Sequence, residues 1–208
     1  MIGAFPTACA VLVPRTVAAL LNAHPALQVV IDEAATPVLL RRLRARRLDV
    51  ALVALGTAPA ESDVTSFRAH ALPVVGLRIA VPADHRLARR RTVQPRELAD
   101  EAWIAGVGSP GEPQFGAWPT VGEPRIAYTV RHWTTRLGLV AAGLGITVLP
   151  GTMASTVPAD VRVLTVHDRS YAGGNSTILT RSDPGRATDL AVNALLEQAS
   201  ALRAQAND

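Results

Sequence analysis

Within the first 55 residues, three short apolar runs alternate with two longer stretches of helical period, and that order dictates a parallel sheet. Ile2 to Phe5, the Val-rich run Leu27 to Ile31, and Asp49 to Leu55 read as strands. Between the first two, Ala8 to Ala23 is predicted to be one helix with Leu12, Val17, Leu20 and Leu21 facing inward and Pro14 within its first two turns. His24-Pro25 stops it, since a residue before proline disfavours the α region. Thr36-Pro37 opens the second helix, with Thr36 as N-cap, proline at the first helical position, and Leu39, Leu40 and Leu43 on one side. Strand, helix, strand, helix, strand makes two βαβ units. Right-handed crossovers then bring both helix starts, near Thr7 and Thr36, to one edge of the sheet. That edge is where open α/β sheets bind ligands.

The alternation continues. Leu77 to Val81, Trp103 to Ala105, Ile126 to Val130, Ile146 to Leu149, Val161 to Val166 and Thr177 to Thr180 read as strands. Pro95 to Ala99 starts a short helix. Thr134 caps a helix running to Ala142 that Gly143 ends, and a last helix runs from near Asp183-Pro184 to about Ala204. The stretch Gly106 to Pro124 is rich in glycine and proline and is predicted to be irregular.

Composition excludes several classes. With 49 % hydrophobic residues, 18 % charged and a net charge of +4, the chain is too apolar for a disordered protein. The longest apolar stretch, Leu137 to Pro150, contains three glycines and falls short of the ~20 residues a bilayer span requires, so no membrane partner is expected. All 21 basic residues are arginine, and the pI of about 10.4 follows from the absence of lysine rather than from a nucleic-acid face. The single cysteine, Cys9, rules out an internal disulfide. The opening MIGAFPTACA has no basic n-region, and Pro6 and Pro14 interrupt its apolar part, so a cytoplasmic location is expected.

Catalysis finds little support. His24, His70, His85, His132 and His167 fall at no metal-ligand spacing, and no G-x-S-x-G elbow is present. Cys9, in the first turn of a helix whose dipole could lower its pKa, has no orienting histidine nearby in pattern and reads as a packed small residue. Gly106 to Gly111 spells G-x-G-x-x-G after a strand, but Pro110 and Pro113 deny it the helix that a dinucleotide site needs. No enzyme activity, cofactor or metal is expected.

Leu137 to Pro150, LGLVAAGLGITVLP, resembles the "l-x-l-V-A-a-G-x-G-I-x-l-L-P" stretch of the effector-binding domain of LysR-type transcriptional regulators almost letter for letter. Ile2-Gly3, Leu12 with Pro14, His24-Pro25-Ala26-Leu27, the run Leu43 through Leu48-Asp49-Val50-Ala51-Leu52, His85-Arg86-Leu87-Ala88 and Arg96-Glu97-Leu98 are similar to further family positions, in order along the chain. The resemblance implies an α/β, two-lobed fold like type II periplasmic binding proteins, each lobe a mixed sheet flanked by helices. Lobe I would take residues 1–72 plus 168–208 and lobe II residues 73–167. It also implies a small, carboxylated effector held between the lobes. Homodimerisation, with a tetramer as the higher assembly, would set lobe I of one copy against lobe II of the other. DNA contact would run only through an N-terminal winged helix-turn-helix that this sequence does not contain. Two other readings are a solute-binding protein of a transporter and a ligand-free dimerisation module.

Effectors in this family are held largely by backbone N–H groups and hydroxyls at helix starts, which offer unpaired donors and partial positive charge. Carried onto this sequence, the expected effector residues are Thr7, Ala8, Thr36, Gly108, Ser109, His132, Trp133 and Thr134. Each has a plainer alternative. Thr7, Thr36 and Thr134 serve equally as N-caps, Trp133 as a packing residue and His132 as a solvent-facing one, while Gly108 and Ser109 would form a backbone-lined lip of the cleft. The run Arg41 to Arg47 is the solvated face of an amphipathic helix.

Overall fold

The computed structural model describes residues 1–55, 64–73, 75–108, 113–171 and 175–206. The chain divides into two compact units, Met1–Val75 with Gly174–Asp208, and Gly76–Gly173.

The first unit carries a five-stranded sheet. Its strands are β1 (Ile2–Ala4), β2 (Ile31–Glu33), β3 (Val50–Leu55), β4 (Arg68–Ala71) and β11 (Asn175–Thr180), in the order β2-β1-β3-β11-β4. β1 is parallel to both neighbours, as two βαβ units require, while β11 runs antiparallel to β3 and β4. The helices are α1 (Pro6–Ala10), α2 (Leu12–Ala23), α3 (Thr36–Arg44) and α5 (Arg186–Gln205). Leu12, Val13 and Leu20 of α2 join Val192, Leu195, Ala199 and Leu202 of α5 over Ile2, Val50 and Ile178 in one buried cluster. Leu39, Leu40 and Leu43 of α3 form another with Leu48, Val53 and Leu179. Arg41 and Arg44 of α3 face solvent, and Arg42 pairs with Asp32 at 2.5 Å.

The helix expected over Ala8 to Ala23 is two helices. The break falls at Val11 (φ −136°, ψ −57°), three residues before Pro14, whose ring has no N–H to give the Ala10 carbonyl and collides with it in a continuous helix. The second strand also moves. It is Ile31–Glu33 rather than Leu27 to Ile31, because three-residue β1 fixes the register Ile2↔Ile31 to Ala4↔Glu33, and Leu27 and Val29 pack on the core without joining the ladder.

The second unit has the sheet β6-β10-β5-β9, from β5 (Leu77–Pro82), β6 (Thr92–Val93), β9 (Thr147–Pro150) and β10 (Val161–Val166). A parallel pair, β7 (Ala102–Gly106) and β8 (Arg125–Val130), stands beside it, tied in through the bridge Trp103↔Ile146. α4 (Trp133–Ala141) packs Leu137 and Val140 against Ala80, Ile104 and Leu149. It ends in a Schellman motif. Gly143 stands at φ +77°, its N–H bonds Val140 O at 2.9 Å, and the Leu144 N–H bonds Leu139 O at 3.1 Å. Of the Gly106 to Pro124 stretch, expected to be irregular, residues 109–112 lie outside the described residues; the rest makes one 3-10 turn at Pro113–Phe115 and is packed, with Trp118 and Val121 buried against Leu98 and Val148.

Candidate functional site

In the first unit the parallel strands β1 and β2 deliver the starts of α1 and α3 to the same sheet edge. The Ala34 N–H bonds Ala4 O across the two strand ends at 3.1 Å. Thr7, Ala8 and Thr36 are therefore brought together at this edge. None of them is an N-cap. Phe5 and Ala35 hold the cap positions in extended conformation, placing Thr7 second and Thr36 first in their helices. Thr7 is buried (7 % exposed). The Ala8 N–H bonds back to Phe5 O at 3.0 Å, and the Thr36 hydroxyl accepts the Ala54 N–H at 3.3 Å, fastening α3 to β3. Neither helix has a side-chain cap or an acidic residue in its first turn, so both leave first-turn N–H groups at this edge, with the carboxylates of Asp32 and Glu33 near α1. Cys9 donates to Ala4 O at 3.6 Å, and burial, with Glu33 and Asp32 adding to it, pushes the thiol up to about 11. The helix dipole does not win there. Cys9 stays a protonated, packed thiol.

In the second unit, β7 ends at Gly106 and α4 begins just past β8. His132 is the N-cap in extended conformation, Trp133 and Thr134 are the first two helical residues, and no side-chain cap bond is made. Thr134 is thus not the cap either. His132 and Thr134 are exposed and Trp133 is half-buried. Gly108 is exposed on one side and pressed by the Phe115 ring on the other, where an added Cβ would collide with Cδ2. The Phe115 and Trp133 rings stand 6.5 Å apart, tilted by 39°. Ser109 lies outside the described residues.

Beneath these aromatic rings sits a residue that the sequence reading passed over. Arg136, in the second turn of α4, is 1 % exposed. Its Nε donates to Ile104 O at 3.0 Å and its Nη1 to Gln114 O at 2.6 Å, and its guanidinium carbon lies 4.6 Å from the Trp133 ring centroid. Nη2 is buried with no hydrogen-bond partner among the described residues. Burial pushes the guanidinium down to about 10, so it stays charged at neutral pH. The signal was available: Trp133, Arg136, Leu137 and Val140 share one helical face at spacings of three and four. A charge on that apolar face is unusual.

The second unit also has an open cleft of about 680 Å³ lined by Gln94, Arg96, Thr120, His167, Asp168 and Arg169, among others. Its one carboxylate is already engaged. Asp168 accepts the Thr120 hydroxyl at 2.6 Å, Trp118 Nε1 at 2.7 Å and the Ser170 N–H at 2.8 Å, and these bonds hold it below the usual carboxylate range.

A family model described as "LysR substrate binding domain" matches residues 1–203. Among solved structures, the Corynebacterium glutamicum OxyR C206 mutant is similar with a TM-score of 0.77 and 23 % identity, over 99 % of this chain and 65 % of that one. The BenM effector binding domain with its effector benzoate gives a TM-score of 0.74 and 24 % identity, over 98 % and 91 % of the two chains. The effector binding domain of QuiR in complex with shikimate gives 0.71 and 19 %, over 96 % of each. The chain thus spans about two thirds of the OxyR chain and nearly all of the BenM and QuiR domains. A search of curated proteins finds no match.

Proposed function

Since the chain belongs to the LysR substrate binding domain family, with that family's α/β, periplasmic-binding-protein-like fold, we propose that it senses a small carboxylated metabolite and, through a dimer or tetramer of such domains, controls DNA-dependent transcription. Domains of this family are regulatory rather than enzymatic. The observation that carries the ligand reading is the set of uncapped helix starts. Thr7, Ala8 and Thr36 stand at one edge of the parallel strands of the first unit, and His132, Trp133 and Thr134 at the start of α4 in the second. Such ends offer first-turn N–H donors and hydroxyls in a positive field, which suits a carboxylate. Benzoate and shikimate, bound by BenM and QuiR, are both carboxylates, which supports the same chemistry here. The effector is held at these helix starts, with Gly108 lending a backbone contact. It acts by favouring one arrangement of the domains over another.

Thermal unfolding of the 208-residue chain across organic acids, aromatic carboxylates, amino acids and sugars tests this. A ligand at 100 times its Kd stabilises by about 2.7 kcal/mol, roughly 5–10 °C for a domain of this size. The expected hit is an acid whose shift Thr7→Val abolishes without lowering the melting point of the unliganded protein. A panel with no hit sinks the sensor reading. A hit untouched by Thr7→Val moves the site.

A further inference from the structure

Arg136 is a buried cation in an electrostatically adverse place. Helical side chains tilt toward the N-terminus, and this one folds back over Trp133, at the end of α4 where the helix dipole is already positive. Among the described residues no carboxylate pairs with it. Two carbonyl oxygens and an indole face take part of the guanidinium, and Nη2 is buried with no hydrogen-bond partner among the described residues. A lone buried charge is strongly unfavourable unless it is paired. A purely structural residue at this position would be aliphatic, as its neighbours Leu137 and Val140 are.

The surroundings suit an anion better than a neutral group. The guanidinium lies at the carboxyl end of β7, with Nη1 3.0 Å from where a Cβ on Gly106 would stand. It shares that corner with the uncapped first turn of α4, and the Phe115 and Trp133 rings flank it. Cation, helix N-terminus and ring faces converge there.

We propose that Arg136 is the residue that makes this domain select a carboxylate over its neutral counterparts, Nη2 supplying the charged hydrogen bond and the first turn of α4 the backbone donors. This rests on the reading of the chain as an effector-sensing domain. It adds a named residue and a charge requirement that the helix starts alone do not impose.

The test pairs each carboxylate with its amide: benzoate with benzamide, nicotinate with nicotinamide, lactate with lactamide. Binding to the 208-residue chain is read by thermal shift and calorimetry, and the Arg136 side-chain Nε–H signal is followed by NMR. In the native protein the acid is expected to bind about ten- to a hundredfold more tightly than its amide, and to move the Arg136 signal. In Arg136→Met and Arg136→Gln the preference disappears while any amide affinity is unchanged. If one variant fails to fold, the other and the native NMR titration still decide. Acid preference retained in a folded Arg136 variant, or an unmoved Arg136 signal at saturation, overturns the assignment and leaves the sensor reading intact. A ligand bound equally as acid and amide, and lost in Thr7→Val, overturns the charge requirement alone. No binding by any probe overturns both.

Discussion

Phe115 lies against the backbone of Gly106 and Gly108, and that contact explains two glycines of the G-x-G-x-x-G spelling with no nucleotide involved. A Cβ on Gly106 would come within 2.6 Å of the Phe115 ring and 3.0 Å of Arg136 Nη1. Gly106→Ala is therefore expected to cost about 1–3 kcal/mol by overpacking, and Phe115→Ala in the same chain should recover part of that in a denaturation cycle. Asp168 makes a second residue-scale prediction. Its pKa is lowered in the fold by the Thr120 hydroxyl and the Trp118 indole, so its stabilisation is present above the unfolded carboxylate pKa of about 3.9 and is lost as pH falls through the lower folded value. Asp168→Asn should lower the melting point at pH 7, and the gap to the native protein should close below about pH 4. At this scale the sequence was legible where period exposes an anomaly, as at Arg136. It was silent on Phe115, whose ring reaches back across seven residues to Gly108 by tertiary packing alone.

Most helices and strands were legible in kind and order, and several of their ends were not. Val161–Val166 is a strand over its expected span, and α4 ends at the expected glycine. The three threonine starts were each misplaced by one or two positions, because a Thr beside a proline or an aromatic residue reads as a cap whether or not it holds one. The extended residues before them, Phe5, Ala35 and His132, have no capping side chain to betray them. Strands β4 and β6 were missed for a related reason: Arg68–Ala71 and Thr92–Val93 join their ladders at an edge, where little apolar pattern is needed. The turn after α4 makes a strong element-scale prediction. Gly145 has φ +153°, and a Cβ there would stand 2.6 Å from the Ala102 carbonyl oxygen, which accepts the Ile146 N–H at 2.8 Å. Main chain cannot swing aside as a side chain can. Gly145→Ala is expected to cost about 2 kcal/mol and roughly 4–8 °C in melting temperature.

Across the whole molecule, two strands carry large apolar side chains on a sheet edge. Ile31 of β2 is 45 % exposed, and Tyr128 of β8, which among the described residues pairs only with β7, is 42 % exposed. If a second copy covers them, sedimentation should give twice the 21.9 kDa chain mass, and Ile31→Arg or Tyr128→Arg should shift it toward one. The first unit is also made from both ends of the chain, with β11 lying between β3 and β4 and α5 packed on α2. That order has a consequence during synthesis. A ribosome releases the whole second unit while the first still lacks a central strand and its longest helix. At about 5–20 residues per second, the open edge of β3 waits on the order of ten seconds for β11. A nascent chain stalled in that interval carries a finished unit beside a sheet with a gap at its centre, the species on which a chaperone or a protease would act.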